Sequence, residues 1–253
     1  MELRLKGSRV LIAGASRGIG LASAKAFAAE GCDVAICARG QSGVDDAVEA
    51  LTSMGVRAIG DSVDLSDAQA YREWIVGAAN TLGGCDVFIP MASAGGGAAS
   101  EETWQAAFNV DLMSVFRGID TAVPFLEKSD SGAIVAVSTT AAVEDFAGPQ
   151  PYNAMKAAVI NYMSAMSQAL APKGIRVNTI SPGPIYVEGG AWNWVKDNIP
   201  DFYKATLAGM PMGRFGNAEE VANAIVFAAS SAVPFMTGTN IVVDGGFTKR
   251  VQY

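Results

Sequence analysis

Short runs of apolar and β-branched residues alternate along the chain with longer segments whose apolar residues recur every three to four positions. The short runs predict buried strands, and the longer segments predict helices with one apolar face. Seven strands are predicted, at residues 9–13, 34–38, 57–63, 86–91, 133–138, 176–181 and 240–243. A helix is predicted between each pair of successive strands, at residues 19–30, 44–54, 68–82, 104–126, 152–171 and 218–229.

The regular alternation of strands and helices indicates the fold class. Parallel strands joined by helices are covered on both faces, which suits their continuous runs of Val and Ile. We therefore predict an α/β, Rossmann-like fold, with a doubly wound parallel sheet of seven strands and helices on both faces. Because no linker interrupts the pattern, a single domain over residues 1–253 is expected.

Residues 183–216 do not follow this alternation. The segment carries Trp192, Trp194, Phe202 and Tyr203 together with several Met and Pro residues. It is too long and too apolar for an ordinary connection, and long insertions of this kind are commonly lids or binding loops. We interpret it as a substrate lid, which favours an apolar substrate. The alternatives are an oligomer contact or a small local core.

The apolar runs also bear on location. The longest are far shorter than the roughly 20 residues of a membrane helix. The first residues lack the apolar segment of a secretory signal. A soluble cytoplasmic protein without a membrane partner is expected.

Composition excludes several classes of chemistry. With 18 basic and 25 acidic residues, the net charge of −7 is the wrong sign for a nucleic-acid partner. The chain has no histidine, which excludes Ser-His-Asp hydrolysis and nearly every transition-metal site. Cys32, Cys37 and Cys85 lack the spacing of a zinc site or a disulfide framework, so we predict buried thiols and no metal. Proton chemistry must then use Tyr, Lys, Asp, Glu or Cys.

The loop between the first predicted strand and helix is rich in glycine. It reads Gly14, Ala15, Ser16, Arg17, Gly18, Ile19, Gly20. Glycines there allow a tight turn and a close approach of the backbone, and the helix N-terminus directs its free N–H groups at a pyrophosphate. The loop predicts a dinucleotide site, although a purely structural turn of small residues would look similar.

The end of the second predicted strand indicates which dinucleotide binds. An NAD enzyme places an acid there to accept from the ribose 2′-hydroxyl, whereas an NADP enzyme supplies arginine for the phosphate. Here the strand ends in Ala38 and Arg39, without an acid, and Arg17 projects from the glycine loop toward the same place. The hypothesis is NADP(H) as cofactor. The alternative is that these arginines form surface salt bridges.

Tyr152 and Lys156 are four residues apart at the start of a predicted helix, so their side chains share one face. An ammonium near a phenol favours the phenolate and brings the phenol pKa, ordinarily about 10, toward the working range of a general acid–base. Alone, this spacing is weak evidence. It becomes specific when combined with the glycine loop and with two hydroxyl residues upstream, Ser138 and Thr139.

With these features the sequence closely resembles the short-chain dehydrogenase/reductase family, in its NADP-preferring, single-domain branch of similar length, over essentially the whole chain. The matching motifs are the glycine loop, Asp64 after the third strand, Tyr152 with Lys156, and residues 176–178, 182–183 and 243–246.

The resemblance implies roles for individual residues. Tyr152 would transfer the proton to or from the substrate oxygen, and Lys156 would bind the nicotinamide ribose and lower the tyrosine pKa. Asp64 and Leu65 would contact adenine, and Ile185 the carboxamide. Further cofactor contacts would come from Gly14, Ser16, Arg17, Gly18, Ile19, Gly20, Arg39, Ala92, Ser93, Pro182 and Gly183. Homotetramers are usual in such a family.

The sequence departs from the family pattern at its hydroxyl and amide positions. The family's catalytic serine lies thirteen residues before the tyrosine, where this chain has Thr139. We expect Thr139 to hold the substrate oxygen, with Ser138 as the alternative. The family's asparagine in the long helix, part of a proton relay, aligns with Asp111, which is predicted either to orient a water or to hold Lys156 in an ion pair.

Two further departures affect the cofactor site. The family's Asn-Asn-Ala-Gly after the fourth strand is replaced by Pro90, Met91, Ala92 and Ser93. Proline there is tolerable only at a strand end, because it cannot donate a backbone hydrogen bond. The threonine that often contacts the carboxamide is Val187.

Three functions remain open from the sequence. The first is reduction of a ketone or aldehyde, and the reverse oxidation of an alcohol. The second is reduction of a 3-oxoacyl thioester in fatty acid synthesis, which needs a basic patch for an acidic carrier protein, for which Lys173 and Arg176 are candidates. The third is a non-catalytic sensor that binds NADP.

Overall fold

The computed structural model describes residues 2–97 and 99–251. Its sheet contains strands β1 Arg9–Ala13, β2 Asp33–Ala38, β3 Ala58–Ser62, β4 Val87–Pro90, β5 Ala133–Val137, β6 Arg176–Pro182 and β7 Asn240–Val243. The helices are α1 Gly18–Ala29, α2 Gln41–Thr52, α3 Ala68–Leu82, α4 Glu101–Ala107, α5 Ser114–Leu126, α6 Pro151–Leu170, α7 Ala191–Asn198, α8 Pro200–Ala208 and α9 Ala218–Ala229. A π-helical turn, Phe108–Met113, joins α4 to α5.

The seven strands form one parallel sheet in the order β3-β2-β1-β4-β5-β6-β7. The chain leaves β3 at one edge and returns to the middle of the sheet, so β1 and β4 are neighbours. The crevice between the carboxyl ends of such strands is where open α/β sheets bind ligands. The predicted doubly wound sheet with helices on both faces is confirmed.

Successive residues of a central strand face opposite sides of the sheet and pack into two separate hydrophobic cores. In β1, Leu11 and Ala13 join the core under α3, α5 and α6, whereas Val10 and Ile12 join the core under α1, α2 and α9. Successive residues from Val10 to Ala13 are therefore all apolar. Cys32, Cys37 and Cys85 are buried free thiols, as predicted.

The helix predicted over 104–126 is present, but it contains a π-helical turn that the sequence did not predict. The π-helical turn inserts a wider turn between α4 and α5, and such bulges are frequent at functional sites. Asp111 lies in this turn and is fully buried, because its carboxylate bonds to a loop and to a lysine that are distant in the sequence. No local pattern could predict those contacts.

Other predictions needed smaller corrections. Strand β3 is shorter than the predicted 57–63, and the segment 183–216, to which no element was assigned, contains α7 and α8. Within the described residues, no helix combines the length and the apolar composition needed to cross a bilayer.

Candidate active site

The glycine loop connects β1 to α1 at the crevice, and its glycines have steric causes. Gly14 has a φ of 97°, and a Cβ there would stand 2.9 Å from the Cα of Ala92. A Cβ at Gly20 would stand 2.1 Å from the carbonyl oxygen of Gly14. Gly18 has a φ of 57°, in the left-handed region. A side chain at position 14 or 20 would therefore collide with the backbone packed around the loop.

The N-terminus of α1 is left without a side-chain cap. Its capping position, Arg17, makes no capping hydrogen bond, and the first turn of this 12-residue helix contains no acidic residue. The free N–H groups and the positive end of the helix dipole therefore remain available to an anion.

Arg17 and Arg39 have exposed side chains that form no hydrogen bond and no salt bridge with any residue in the described part of the chain. The backbone carbonyl of Arg39 is fixed by the hydroxyl of Ser62, which donates to it over 2.9 Å. Surface salt bridges of Arg17 and Arg39, the alternative interpretation, are therefore not formed with the described residues.

Asp64 and Leu65 follow β3 on the same side of the sheet. The backbone N–H and the hydroxyl of Ser66 donate to the Asp64 carboxylate over 2.9 and 2.8 Å. These bonds lower the pKa of Asp64, with a smaller contribution from the positive charge of Arg39. Leu65 is buried.

Pro90 is the last residue of β4, and its lack of a backbone N–H removes no hydrogen bond between β4 and β5. The pairing of β4 with β5 covers only Val87 and Phe88, so it has ended before the proline. On the other side of β4, the backbone N–H of the next residue, Met91, donates to the carbonyl of Ala13 in β1 over 3.1 Å. Ala92 then packs against Gly14, and the exposed Ser93 accepts from the N–H of Gly95 over 2.9 Å.

Tyr152 and Lys156 lie in the first turns of α6, which begins with Pro151. Lys156 is 2% exposed, and its Nζ lies 5.8 Å from the ring centroid of Tyr152. Nζ donates to the carbonyl oxygen of Val137 over 3.1 Å and to that of Ala92 over 3.5 Å. Lys156 thus bridges the carboxyl ends of β4 and β5 beneath the tyrosine.

Asp111 is the third charged member of this cluster. Its Oδ1 lies 3.5 Å from Lys156 Nζ, and its Oδ2 accepts from the backbone N–H of Ala94 over 3.2 Å. The ion pair foreseen as one alternative is present. Burial lowers the pKa of Lys156, and the charge of Asp111 offsets part of that effect.

The two hydroxyl residues after β5 point in different directions. Ser138 is buried, and its hydroxyl donates to the backbone carbonyl of Lys156 over 2.9 Å. Thr139 accepts from the N–H of Ala141 over 3.2 Å, and its hydroxyl lowers the pKa of the nearby Tyr152 phenol. Burial and the charge of Asp111 outweigh this effect and raise the pKa of Tyr152 to about 12.

The end of β6 closes the crevice on the far side. Gly183 donates to the carbonyl of Val243 over 2.9 Å, and a Cβ there would stand 2.5 Å from the Cβ of Asp244. Two residues on, Ile185 pairs with Gly216 in a single β-bridge, which ties together the two ends of the 183–216 segment. Pro182, the last residue of β6, is buried.

Helices α7 and α8 carry an aromatic cluster that reaches the loop after β5. Trp192 stacks on Phe202 with ring centroids 5.9 Å apart and lies 4.8 Å from Phe215. Phe146 lies 6.1 Å from Trp192 and 5.6 Å from Phe247. Sequence reasoning missed Phe146 and Phe247, because both lie in loops without a periodic pattern.

Phe146 links this cluster to the tyrosine. Its carbonyl accepts a hydrogen bond of 3.0 Å from the side-chain amide of Asn153, the residue after Tyr152. The aromatic cluster is therefore anchored next to the first turn of α6.

Comparison with known proteins matches both the sequence and the fold. The family described as "Enoyl-(Acyl carrier protein) reductase" matches residues 14–248. The chain is 36% identical to isoepoxydon dehydrogenase of Penicillium expansum, covering 98% of each protein. It is 32% identical to 2,5-dichloro-2,5-cyclohexadiene-1,4-diol dehydrogenase of Sphingobium indicum, covering 99% of this chain and 100% of that one.

A solved structure has the same fold. L-Sorbose reductase of Gluconobacter frateurii, in complex with NADPH and L-sorbose, superimposes with a TM-score of 0.90 at 29% identity, covering 99% of this chain and 100% of that one. The glycine loop, the pair on α6 and these full-length matches together establish that the chain is an oxidoreductase of the short-chain dehydrogenase/reductase family.

Proposed function

We propose that the protein is an NADP(H)-dependent oxidoreductase that interconverts a ketone or aldehyde and an alcohol, with Tyr152 as general acid–base. One observation carries the proposal: the Lys156 ammonium lies 5.8 Å from the ring centroid of Tyr152 at the carboxyl ends of β4 and β5, and Thr139 is near enough to lower the pKa of the phenol. A carbonyl oxygen placed between the two hydroxyls would meet both a proton donor and a second hydrogen-bond donor.

The residues of the crevice fit a phosphorylated dinucleotide. Gly14 and Gly20 allow the loop to fold tightly, with Gly14 against Ala92, and α1 offers uncapped N–H groups. Arg17 and Arg39 are exposed and form no ion pair with the described residues, so both are proposed to bind the 2′-phosphate, which a planar guanidinium can hold in a bidentate manner. The NADPH bound to L-sorbose reductase supports the same cofactor here. When bound, NADP(H) supplies or accepts the hydride.

Each catalytic residue has a distinct task in the proposed reaction. Thr139 donates a hydrogen bond to the carbonyl oxygen and orients it, and Tyr152 gives its proton to that oxygen as the carbon is reduced. Lys156 holds the ribose of the cofactor and keeps a positive charge near the phenol. The remaining proposed cofactor contacts are those of Ser16, Ile19, Asp64, Leu65, Ala92, Ser93, Pro182, Gly183 and Ile185.

The aromatic cluster supports a substrate with an apolar part, with 183–216 as its lid. Trp192 packs against Phe146 and Phe215, and the carbonyl of Phe146 is bonded to Asn153, the residue after the tyrosine. The relatives include a dehydrogenase of a cyclohexadiene diol and a reductase of L-sorbose. These names support secondary alcohols and ketones as the substrate class proposed here.

The 3-oxoacyl thioester alternative loses its expected basic patch. Lys173 forms an ion pair of 2.6 Å with Glu127. Arg176 turns inward and donates to the carbonyls of Ala228, Ala229 and Ser230. Neither cation is free to bind an acidic carrier protein.

A homo-oligomer is part of the proposal. Trp104, Phe108 and Phe116 are 42%, 40% and 40% exposed along α4, the π-helical turn and α5. Large aromatic side chains exposed along one continuous element are typical of a protein interface. Light scattering after size-exclusion chromatography measures the assembly directly.

A substrate panel tests the function. Purified protein with NADPH is assayed against cyclic ketones, ketoses, linear ketones, aldehydes and a 3-oxoacyl thioester, and oxidation of NADPH is followed by absorbance. Turnover of at least one cyclic or linear ketone is expected. Preference for the thioester would support the acyl reductase, and tight NADPH binding without turnover of any compound would support the sensor.

A further inference from the structure

We infer that Asp111 is a positioning residue that neutralises Lys156 and so keeps the transferable proton on Tyr152, which shifts the phenolate-dependent oxidation of an alcohol to higher pH. The inference rests on the proposed role of Tyr152 as general acid–base. It concerns the pH range of the reaction, not the identity of the substrate.

The geometry of Asp111 is that of a buried charge with a single cationic partner. The residue is 0% exposed, and Oδ2 is occupied by the N–H of Ala94. Oδ1 has no hydrogen-bond partner among the described residues and lies 3.5 Å from Lys156 Nζ. An uncompensated buried carboxylate is costly, so the nearby ammonium is what makes its charge tolerable.

The net charge of the buried cluster determines how readily the Tyr152 phenol loses its proton. With Tyr152 protonated, the cluster of Asp111, Lys156 and Tyr152 is neutral, and removal of the phenol proton leaves a net negative charge in a buried site. With an amide at position 111, the same cluster would start with a positive charge and become neutral on losing the proton. A buried site loses a proton more readily in the second case. The carboxylate therefore favours the proton-donating form.

The direction of the tyrosine pKa agrees with this charge balance. Burial raises the pKa of Tyr152, and the charge of Asp111 raises it further, to about 12. In alcohol oxidation Tyr152 must accept the hydroxyl proton, which requires the phenolate. In carbonyl reduction it must donate a proton, which requires the phenol. A high pKa leaves less phenolate at a given pH, so the first direction requires a higher pH.

Other carboxylates near α6 do not take part. Glu144, in the loop packed against the start of α6, turns to the C-terminal segment and accepts from the N–H of Lys249 over 3.1 Å. Asp145 is exposed in the same loop, and Glu101 and Glu102 are exposed at the start of α4. Among the described residues, Asp111 is the carboxylate whose charge acts on both Tyr152 and Lys156.

The sequence already marks this position as unusual. The family that the chain belongs to has asparagine at this place in the long helix, and Asp111 is this chain's departure from it. An amide is nearly identical in shape but carries no charge, so Asp111→Asn isolates the electrostatic effect.

The first experiment measures the phenol without any turnover. Phenolate absorbance is recorded against pH for the wild type and for Asp111→Asn, each minus its own Tyr152→Phe form, so that only Tyr152 contributes. Ionisation in Asp111→Asn is expected at a pH lower by at least about one unit, the scale on which one nearby charge acts. Ionisation at an unchanged or higher pH would overturn the inference.

The matched control, Asp120→Asn, removes a carboxylate charge from α5. Asp120 lies on α5, with a side chain that is 55% exposed and paired with Arg72. Asp120→Asn should leave the ionisation of Tyr152 where it is in the wild type. Circular dichroism and thermal melting of Asp111→Asn establish that the comparison is made on folded protein.

The second experiment uses turnover of a substrate found in the panel. The pH at which alcohol oxidation reaches half of its maximum should fall by at least about one unit in Asp111→Asn. An unchanged oxidation profile would contradict the inference. If no substrate were turned over, the proposed function would fail, and the phenolate titration would still decide the effect of Asp111.

Discussion

The hydroxyl of Ser138 donates to the backbone carbonyl of Lys156, and this bond turns Ser138 into the body of α6, away from the tyrosine. Thr139, one residue further, consequently faces Tyr152. Because successive side chains of an extended segment point to opposite sides, only one of the two hydroxyls can serve the reaction.

The first prediction separates these two hydroxyls. Thr139→Ala should lower kcat by about 10²–10³-fold, as loss of one oxyanion donor does, and Thr139→Ser should retain most of the activity. Ser138→Ala should lower the free energy of unfolding by about 1 kcal/mol through the lost hydrogen bond, with kcat nearly unchanged. Steady-state kinetics and denaturant titration measure both effects. A large loss of kcat in Ser138→Ala with full activity in Thr139→Ala would reverse the assignment.

The second prediction concerns cofactor preference. Since the side chains of Arg17 and Arg39 form no hydrogen bond or salt bridge with the described residues, replacing either with Ala should raise the Kd for NADPH at least about tenfold and leave that for NADH nearly unchanged. Lys25→Ala, which removes an exposed charge from α1, is the control and should change neither constant. Equal affinity of the wild type for NADH and NADPH would refute the hypothesis of an NADP site.

The third prediction tests the steric need for glycine. Gly14→Ala should lower the free energy of unfolding by about 1–3 kcal/mol, because its positive φ and its contact with Ala92 both oppose a side chain. Gly77→Ala is the matched control: it lies within α3 with no atom within 4 Å of an added Cβ, so a gain of roughly 0.5–1 kcal/mol is expected. Thermal melting compares the two variants. Equal melting temperatures would show that the loop tolerates a Cβ.

The fold was largely predictable from the sequence where local signals mark the ends of elements. The predicted bounds of α3 and α9 are those of the structure. Asp67 caps α3 by accepting from two backbone N–H groups and Gly83 ends it in the left-handed region, and a capping box begins α9 at Asn217.

The parts that the sequence did not predict depend on distant contacts. The π-helical turn around Asp111 forms where its carboxylate meets Ala94 and Lys156. The aromatic cluster depends on Phe146 and Phe247, which are about a hundred residues apart along the chain and meet only in the folded protein. Periodicity reports neighbours along one element and carries no information on such pairs.

The most direct test of the central claim is single-turnover oxidation of NADPH by Tyr152→Phe, with a ketone that the wild type reduces. The phenylalanine keeps the ring but removes the proton, so the rate should fall by about 10²–10⁴-fold while the Kd for NADPH stays within a factor of two or so. A rate in Tyr152→Phe close to that of the wild type would contradict proton transfer by Tyr152.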